Sequence, residues 1–217
     1  MCAVIQRGIL GGFKNKIGNV VGSSWKGIAT MRALPLSVAN PKTAGQVIQR
    51  SYFTQTTQLG SMVLVSIIKT MWDRFAQKQS GFNAFVSTNV KIIRANGGFA
   101  GANLVFSKGV VTPVLQQQAI YDVSQGILTV PFLPNLVGDA LASDVVRCVL
   151  VGTHLVTGEL GFVYNFIDVR SRTDSPMVNL VDKNLFVNMS LRVYLTIQRQ
   201  DGSKVGDSTS GSVNAQP

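Results

Sequence analysis

The chain has 217 residues, 46% of them hydrophobic, which is enough to bury a sizeable core in one large or two small domains. Only 14% are charged and the formal net charge is +10, a surface of the kind that neighbouring molecules cover. The apolar runs stay far below the roughly 20 residues that a membrane helix needs, so a helix-spanning membrane protein is excluded as an expectation.

The N-terminal end, Met1 to Gln6, reads as a short strand or arm. Arg7 follows its apolar residues rather than preceding them, so no secretory signal is expected and the chain is placed in a cytoplasm. From Gly8 to Arg50 no carboxylate occurs. Ile17 to Trp25 alternates small or polar with apolar side chains, Lys26-Gly27 can turn, and Ile28 to Leu34 alternates again, which is the pattern of a two-stranded ribbon. Glycines at 8, 11, 12, 18, 22 and 27 permit a left-handed backbone or the close approach of another chain. The ribbon is therefore expected to lie against a partner. Trp25 is its anchor, with Gly18, Gly22, Gly27 and Met31 beside it, and Lys14, Lys16, Lys26, Arg32 and Arg50 meet acidic groups or phosphate. The plainer alternative is an ordinary hairpin with Trp25 inside its own core.

Asn40 and Pro41 suit a helix start. Apolar residues at helical spacing from Val47 to Phe75 predict two helices, 43–58 and 62–78, separated at Gly60-Ser61. A shorter helix follows from about Phe82, and Ala95 to Ala102 (ANGGFAGA) reads as a flexible loop. It lacks the Lys-Ser/Thr of a phosphate-binding loop.

From Val110 the period becomes two. Strand, turn and strand signals span Tyr121–Phe132, a pair joined at Thr157-Gly158, and Leu191–Gln198 turning at Asp201-Gly202 into Lys204–Ser210. The expected fold class is therefore α+β. A basic hairpin and helical domain occupies 1–112, and an antiparallel β-sandwich of immunoglobulin or fibronectin III kind occupies 113–217. The tail GSVNAQP is expected to fray.

Chemistry is sparse. Cys2 and Cys148 read as reduced thiols, and His154 is the single histidine, so no zinc site of the common types and no cofactor is expected. Asp168 and Asp174, among Arg170, Ser171 and Arg172, read as solvated loop charges rather than a catalytic pair. No enzyme and no small-molecule substrate is expected. Charge is more telling: thirteen bases face only Asp73 up to residue 109, whereas seven bases face nine acids beyond it. Cations without internal partners must face water, phosphate or acidic protein.

GGFKNKIGNVVGSSWKGIATMR followed by NPKTAGQVIQR, with SGFNAFVSTN later, resembles a family of uncharacterised proteins found in Bacteroidetes bacteria and their phages. The likeness covers Gly8–Arg50 and Gly81–Asn89, and elsewhere only the architecture. It carries no activity and implies a phage context. The expectation is a non-enzymatic structural protein of a virion, made in the host bacterial cytoplasm: a minor capsid, connector, tail or decoration subunit that contacts copies of itself and other virion proteins. The alternative is a nucleic-acid-binding protein packaged with the genome, with Arg50, Lys69, Arg74 and Lys78 on phosphates.

Overall fold

The structure, a computed structural model, describes residues 4–5, 13–25, 28–37, 40–74, 76–182 and 188–216; the side chains of 4–5, 25, 165–168 and 215–216 lie outside that description. The chain forms two compact units, Met1–Thr43 and Ala44–Pro217. The division falls at 43/44; the sequence pattern places its domain boundary at 112/113, between the helical and the strand-rich segments.

The N-terminal unit is an antiparallel sheet of β1 (Val4–Ile5), β2 (Phe13–Ile17), β3 (Val20–Trp25) and β4 (Ile28–Ala33), ordered as in the chain. The two expected strands are β3 and β4, and β2 pairs beside them. Gly18 at φ 54° opens the two-residue Gly18-Asn19 loop between the paired Ile17 and Val20, where a tight hairpin favours glycine. The expected turn at Lys26-Gly27 lies outside the described residues.

The second unit begins with α1 (Ala44–Met62), which passes through Gly60 without breaking. A Cβ on Gly60 would stand 2.9 Å from the Phe82 ring, so this glycine serves the close approach of two helices. The irregularity comes later, as a π-helical stretch over Leu64–Ile68 in which Ile68 N–H donates to Val63 O at 3.1 Å, and α2 (Lys69–Met71) continues from it. Asp73 then accepts the N–H of Gly81 at 2.9 Å, and Ser80 caps α3 (Gly81–Asn96) by accepting from Asn83 N–H. The glycine-rich stretch expected to be a loop begins as the helix stop: Gly97 sits at φ 78°, its N–H reaches Arg94 O, and Gly98 N–H reaches Ile93 O. Among the described residues no helix is long and apolar enough to cross a membrane.

The remaining chain forms a seven-stranded sheet in the order β10 (Leu160–Ser171), β9 (Val145–His154), β12 (Met189–Gln198), β13 (Thr209–Gln216), β6 (Ala119–Asp122), β7 (Ile127–Val130) and β11 (Met177–Leu180). A small ribbon pairs β5 (Leu115–Gln116) with β8 (Phe132–Leu133). The α+β class holds, but the immunoglobulin-like sandwich does not: the sheet curls as half a barrel. The hairpins expected at 121–132 and at Thr157-Gly158 are β6–β7 and β9–β10. The chain returns at Asp201-Gly202 as expected, with Arg199 N–H donating to Lys204 O and Gln198 bridged to Val205. The regular ladder with β12 begins at Thr209, and the polar tail to Gln216, instead of fraying, completes β13 and runs parallel to β6 with Val213 opposite Ala119. Parallel pairing of segments so distant in sequence leaves no local signal.

Two cores share this sheet. Val146, Cys148 and Leu150 of β9 join Val193, Leu195 and Ile197 of β12 inside the curl, with Tyr121, Leu128 and Phe132. Val149, Val151 and Tyr194, on the other face, pack against Leu59, Ile67, Trp72 and Phe85 of the helical segment. A strap from Phe99 to Phe106 seals that core. Trp72 Nε1 donates to Phe106 O (2.7 Å), Tyr194 Oη donates to Ala102 O (2.6 Å), and Asn89 both accepts from Val105 N and donates to Val105 O. The polar atoms thereby find partners inside an apolar layer.

Arg172, expected to be solvated, is fully buried. Its guanidinium donates to the carbonyls of Pro134 (2.8 Å), Asn135 (3.0 Å) and Thr112 (2.6 Å) and to Asp144 Oδ2 (3.2 Å). Burial draws its pKa below the ordinary guanidinium value, and the adjacent Asp144 opposes that shift. Asp144 also faces Arg199 Nε at 3.4 Å, and Asp139 joins Arg199 to Lys204 at the surface. Removing one partner of a buried pair strands the other. Arg172→Ala is therefore expected to cost about 3–5 kcal/mol in urea unfolding, whereas Lys204→Ala, in an exposed pair, costs under about 1 kcal/mol. Equal effects from the two substitutions would contradict this structural role.

Burial also pushes the Cys148 thiol well above its ordinary 9.0 and the Tyr194 phenol up to about 12. Both groups stay neutral in the folded chain and ionise more readily in the unfolded one. Their contribution is thus full below the unfolded pKa values and is lost as pH rises towards the folded ones. The urea midpoint is expected to fall between about pH 8 and 11. Cys148→Ala should make that decline shallower, and an unchanged slope would remove the thiol from the account.

Candidate functional site: a two-faced ribbon and a cationic groove

The ribbon gathers most of the sequence-predicted residues. Cross-strand registers place Lys16, Val21 and Arg32 in one row and Ser23 and Thr30 in the next. Because paired residues share a face and successive residues alternate, both rows lie on the same side. A 2.7 Å hydrogen bond joins the Ser23 and Thr30 hydroxyls. The opposite side carries Ile17, Val20 and Ala33 in one row and Gly22 and Met31 in the next. Met31 is 69% exposed. Met31 and Arg32 are neighbours in sequence and so lie on opposite faces of the sheet.

Gly22 is the position where this sheet tolerates no side chain, since a Cβ would overlap the Phe13 carbonyl oxygen and ring. Lys14 and Lys16 are exposed on β2, and every residue of β4 is exposed. As the last strand of the sheet order, β4 presents the backbone edge that another strand can extend. Trp25 pairs in register with Ile28; its side chain, together with Lys26 and Gly27, lies outside the described residues.

Arg50 belongs to the other unit. It stands on α1 and, with Arg94 of α3, lines a groove of about 650 Å³ floored by Ile48 and Tyr52 and flanked by Gln46 and Gln49. A second cavity of about 360 Å³ shares Ile48 and Tyr52 and extends towards Glu159. The walls are latched. Tyr52 Oη donates to Gly97 O (2.7 Å), Asn96 Nδ2 to Gly98 O and Ala100 O, and Gln55 Oε1 accepts Leu160 N–H (2.9 Å). Sequence reasoning missed Arg94, because only tertiary packing brings α3 beside α1. Arg74, read as a phosphate contact, donates to Gly202 O at 2.6 Å.

A family model described as "Family of unknown function (DUF6266)" matches residues 12–210. The chain belongs to that family. The match is to an uncharacterised domain family, the coarse content of the resemblance seen in Gly8–Arg50, and it brings no activity with it. No curated protein matches the chain. Among solved structures the chain is similar to the adhesin domain of Epf from Streptococcus pyogenes, at 14% identity and a TM-score of 0.31, over 49% of this chain and 33% of that one. The chain thus spans about a third of the length of the structure it matches, and so slight a likeness carries no argument.

Gly22→Val is expected to open the ribbon selectively, since the overlap with Phe13 is with backbone as well as ring. Trypsin should then cut faster at Lys14, Lys16 and Arg32 while thermal unfolding of the second unit stays unchanged. Gly45→Ala, where a Cβ meets nothing within 4 Å, should alter neither; unchanged trypsin resistance in Gly22→Val would contradict the packing described.

Proposed function

We propose that the protein is a non-enzymatic structural subunit of a phage particle, a minor capsid, connector, tail or decoration component, that acts through repeated protein–protein contacts. The observation that carries this reading is the ribbon. It is a compact unit of its own, exposed on both faces, with Ile17, Ile28 and Met31 each more than two-fifths accessible. A sheet of this kind gains stability when a neighbour covers a face or extends the β4 edge. Its apolar side suits an apolar patch on a second copy or another virion protein, and its Lys16–Arg32 side suits acidic groups. The phage context rests on the sequence resemblance over Gly8–Arg50, and on this reading the protein enters the virion after synthesis in the host bacterial cytoplasm. No cofactor or small-molecule substrate enters the mechanism.

Quantitative mass spectrometry of density-purified particles from the source host tests the setting, with a fixed stoichiometry to the main capsid protein expected and absence from particles contradicting it. Trp25→Ala and Met31→Asp test the mechanism. Each is expected to abolish assembly in light scattering while leaving the second unit folded by circular dichroism. Assembly unchanged in both variants would remove the ribbon from the contact.

A further inference from the structure

We propose that the groove between α1 and α3 binds a short single-stranded stretch of nucleic acid, with Arg50 and Arg94 on its phosphates and Tyr52 and Ile48 beneath a base. This site is separate from the ribbon, and the inference stands whether or not the virion reading does. Three observations converge on it.

Among the described residues the larger cavity is lined by two arginines and by no carboxylate, Glu159 lying in the adjoining cavity that shares Ile48 and Tyr52. Guanidinium groups meet phosphate oxygens through paired, planar hydrogen bonds that an ammonium cannot form. The floor is apolar and aromatic, since Ile48 is half-exposed and the Tyr52 ring is held in place by its hydroxyl on Gly97 O. A fixed ring beside cations is what sequence-tolerant stacking of a base uses. The amides of Gln46 and Gln49 complete a polar rim on the same helix. Lys91, one turn before Arg94 on α3, is exposed and adds a further cation to the same helix. A fully extended acidic peptide would use the arginines but leave the aromatic floor idle.

The test is fluorescence anisotropy with the full chain and a labelled oligothymidylate, titrated between about 50 and 200 mM salt. Two neutralised phosphates give a slope of about −1.4 in log K against log salt, from about −0.7 per phosphate on a single strand. The Arg50→Gln/Arg94→Gln variant is expected to bring that slope close to zero, and each single variant to lower it by about half. The Lys14→Gln/Lys16→Gln/Arg32→Gln variant of the ribbon should leave it unchanged. Polyglutamate should not displace the oligonucleotide. Both arginines are exposed, and circular dichroism checks that the variants keep the parent's fold; should the double variant melt lower, the two single variants decide. Absence of binding by the parent chain, unaltered binding by the arginine variants, loss of binding in the ribbon variant alone, or displacement by polyglutamate would each overturn the proposal.

Discussion

Burial of β9 and β12 on both faces is the constraint on which the second unit depends. Side chains of consecutive residues point to opposite sides of a strand, and here both sides are apolar: Cys148 and Leu150 face the curl, while Val149 and Val151 face the helices. Each layer is therefore a cover for the same pair of strands. Removing the helices would expose Val149, Val151 and Tyr194; uncurling the sheet would expose the other row. The units consequently divide before α1 rather than between the helices and the sheet, and α1, which carries Arg50, is held against the same body as Arg94.

Polar groups inside that body act as ties. Asn89, Trp72 and Tyr194 fasten the strap to the helices and the sheet. Arg172 collects carbonyls from two separate loop segments, at Thr112 and at Pro134-Asn135, and a carboxylate from a third at Asp144. A buried guanidinium is tolerated only when its donors find acceptors, so Arg172 fixes where those loops sit relative to the end of β10. The ribbon follows opposite physics. The buried residue among its described strands is a glycine, and its apolar row lies in the open. Its order rests on cross-strand pairing, on the Gly18 turn and on Phe13 folded over Gly22. One chain thus joins a doubly covered sheet to a sheet with accessible faces.

Much of the local structure was legible. Alternation marked β3, β4, β9 and β12, helical spacing marked α1 and α3, and Thr157-Gly158 marked a turn, whereas Gly18, read as part of a strand from Ile17 to Trp25, opens the turn between β2 and β3. Where a glycine was misread, a neighbour was the cause: Gly60 accommodates Phe82, and Gly97 caps a helix that continues further than its apolar pattern indicated. The sandwich was misread because period two reports that strands exist and which residues share a face, and does not report what covers each face. Arg172 looked solvated because burial of a charge depends on acceptors from distant segments.

The sequence by itself determined the α+β class, the carboxylate-free N-terminal stretch, the ribbon and the positions of most strands, because propensity, periodicity and turn chemistry act over a few residues. Tertiary structure alone decided that the helices and the sheet share one unit, that the tail inserts parallel to β6, that β2 pairs beside β3, and that Arg50 and Arg94 line one groove. These features depend on contacts between residues remote along the chain, whose pairing is set by the packing of whole layers and leaves no local mark.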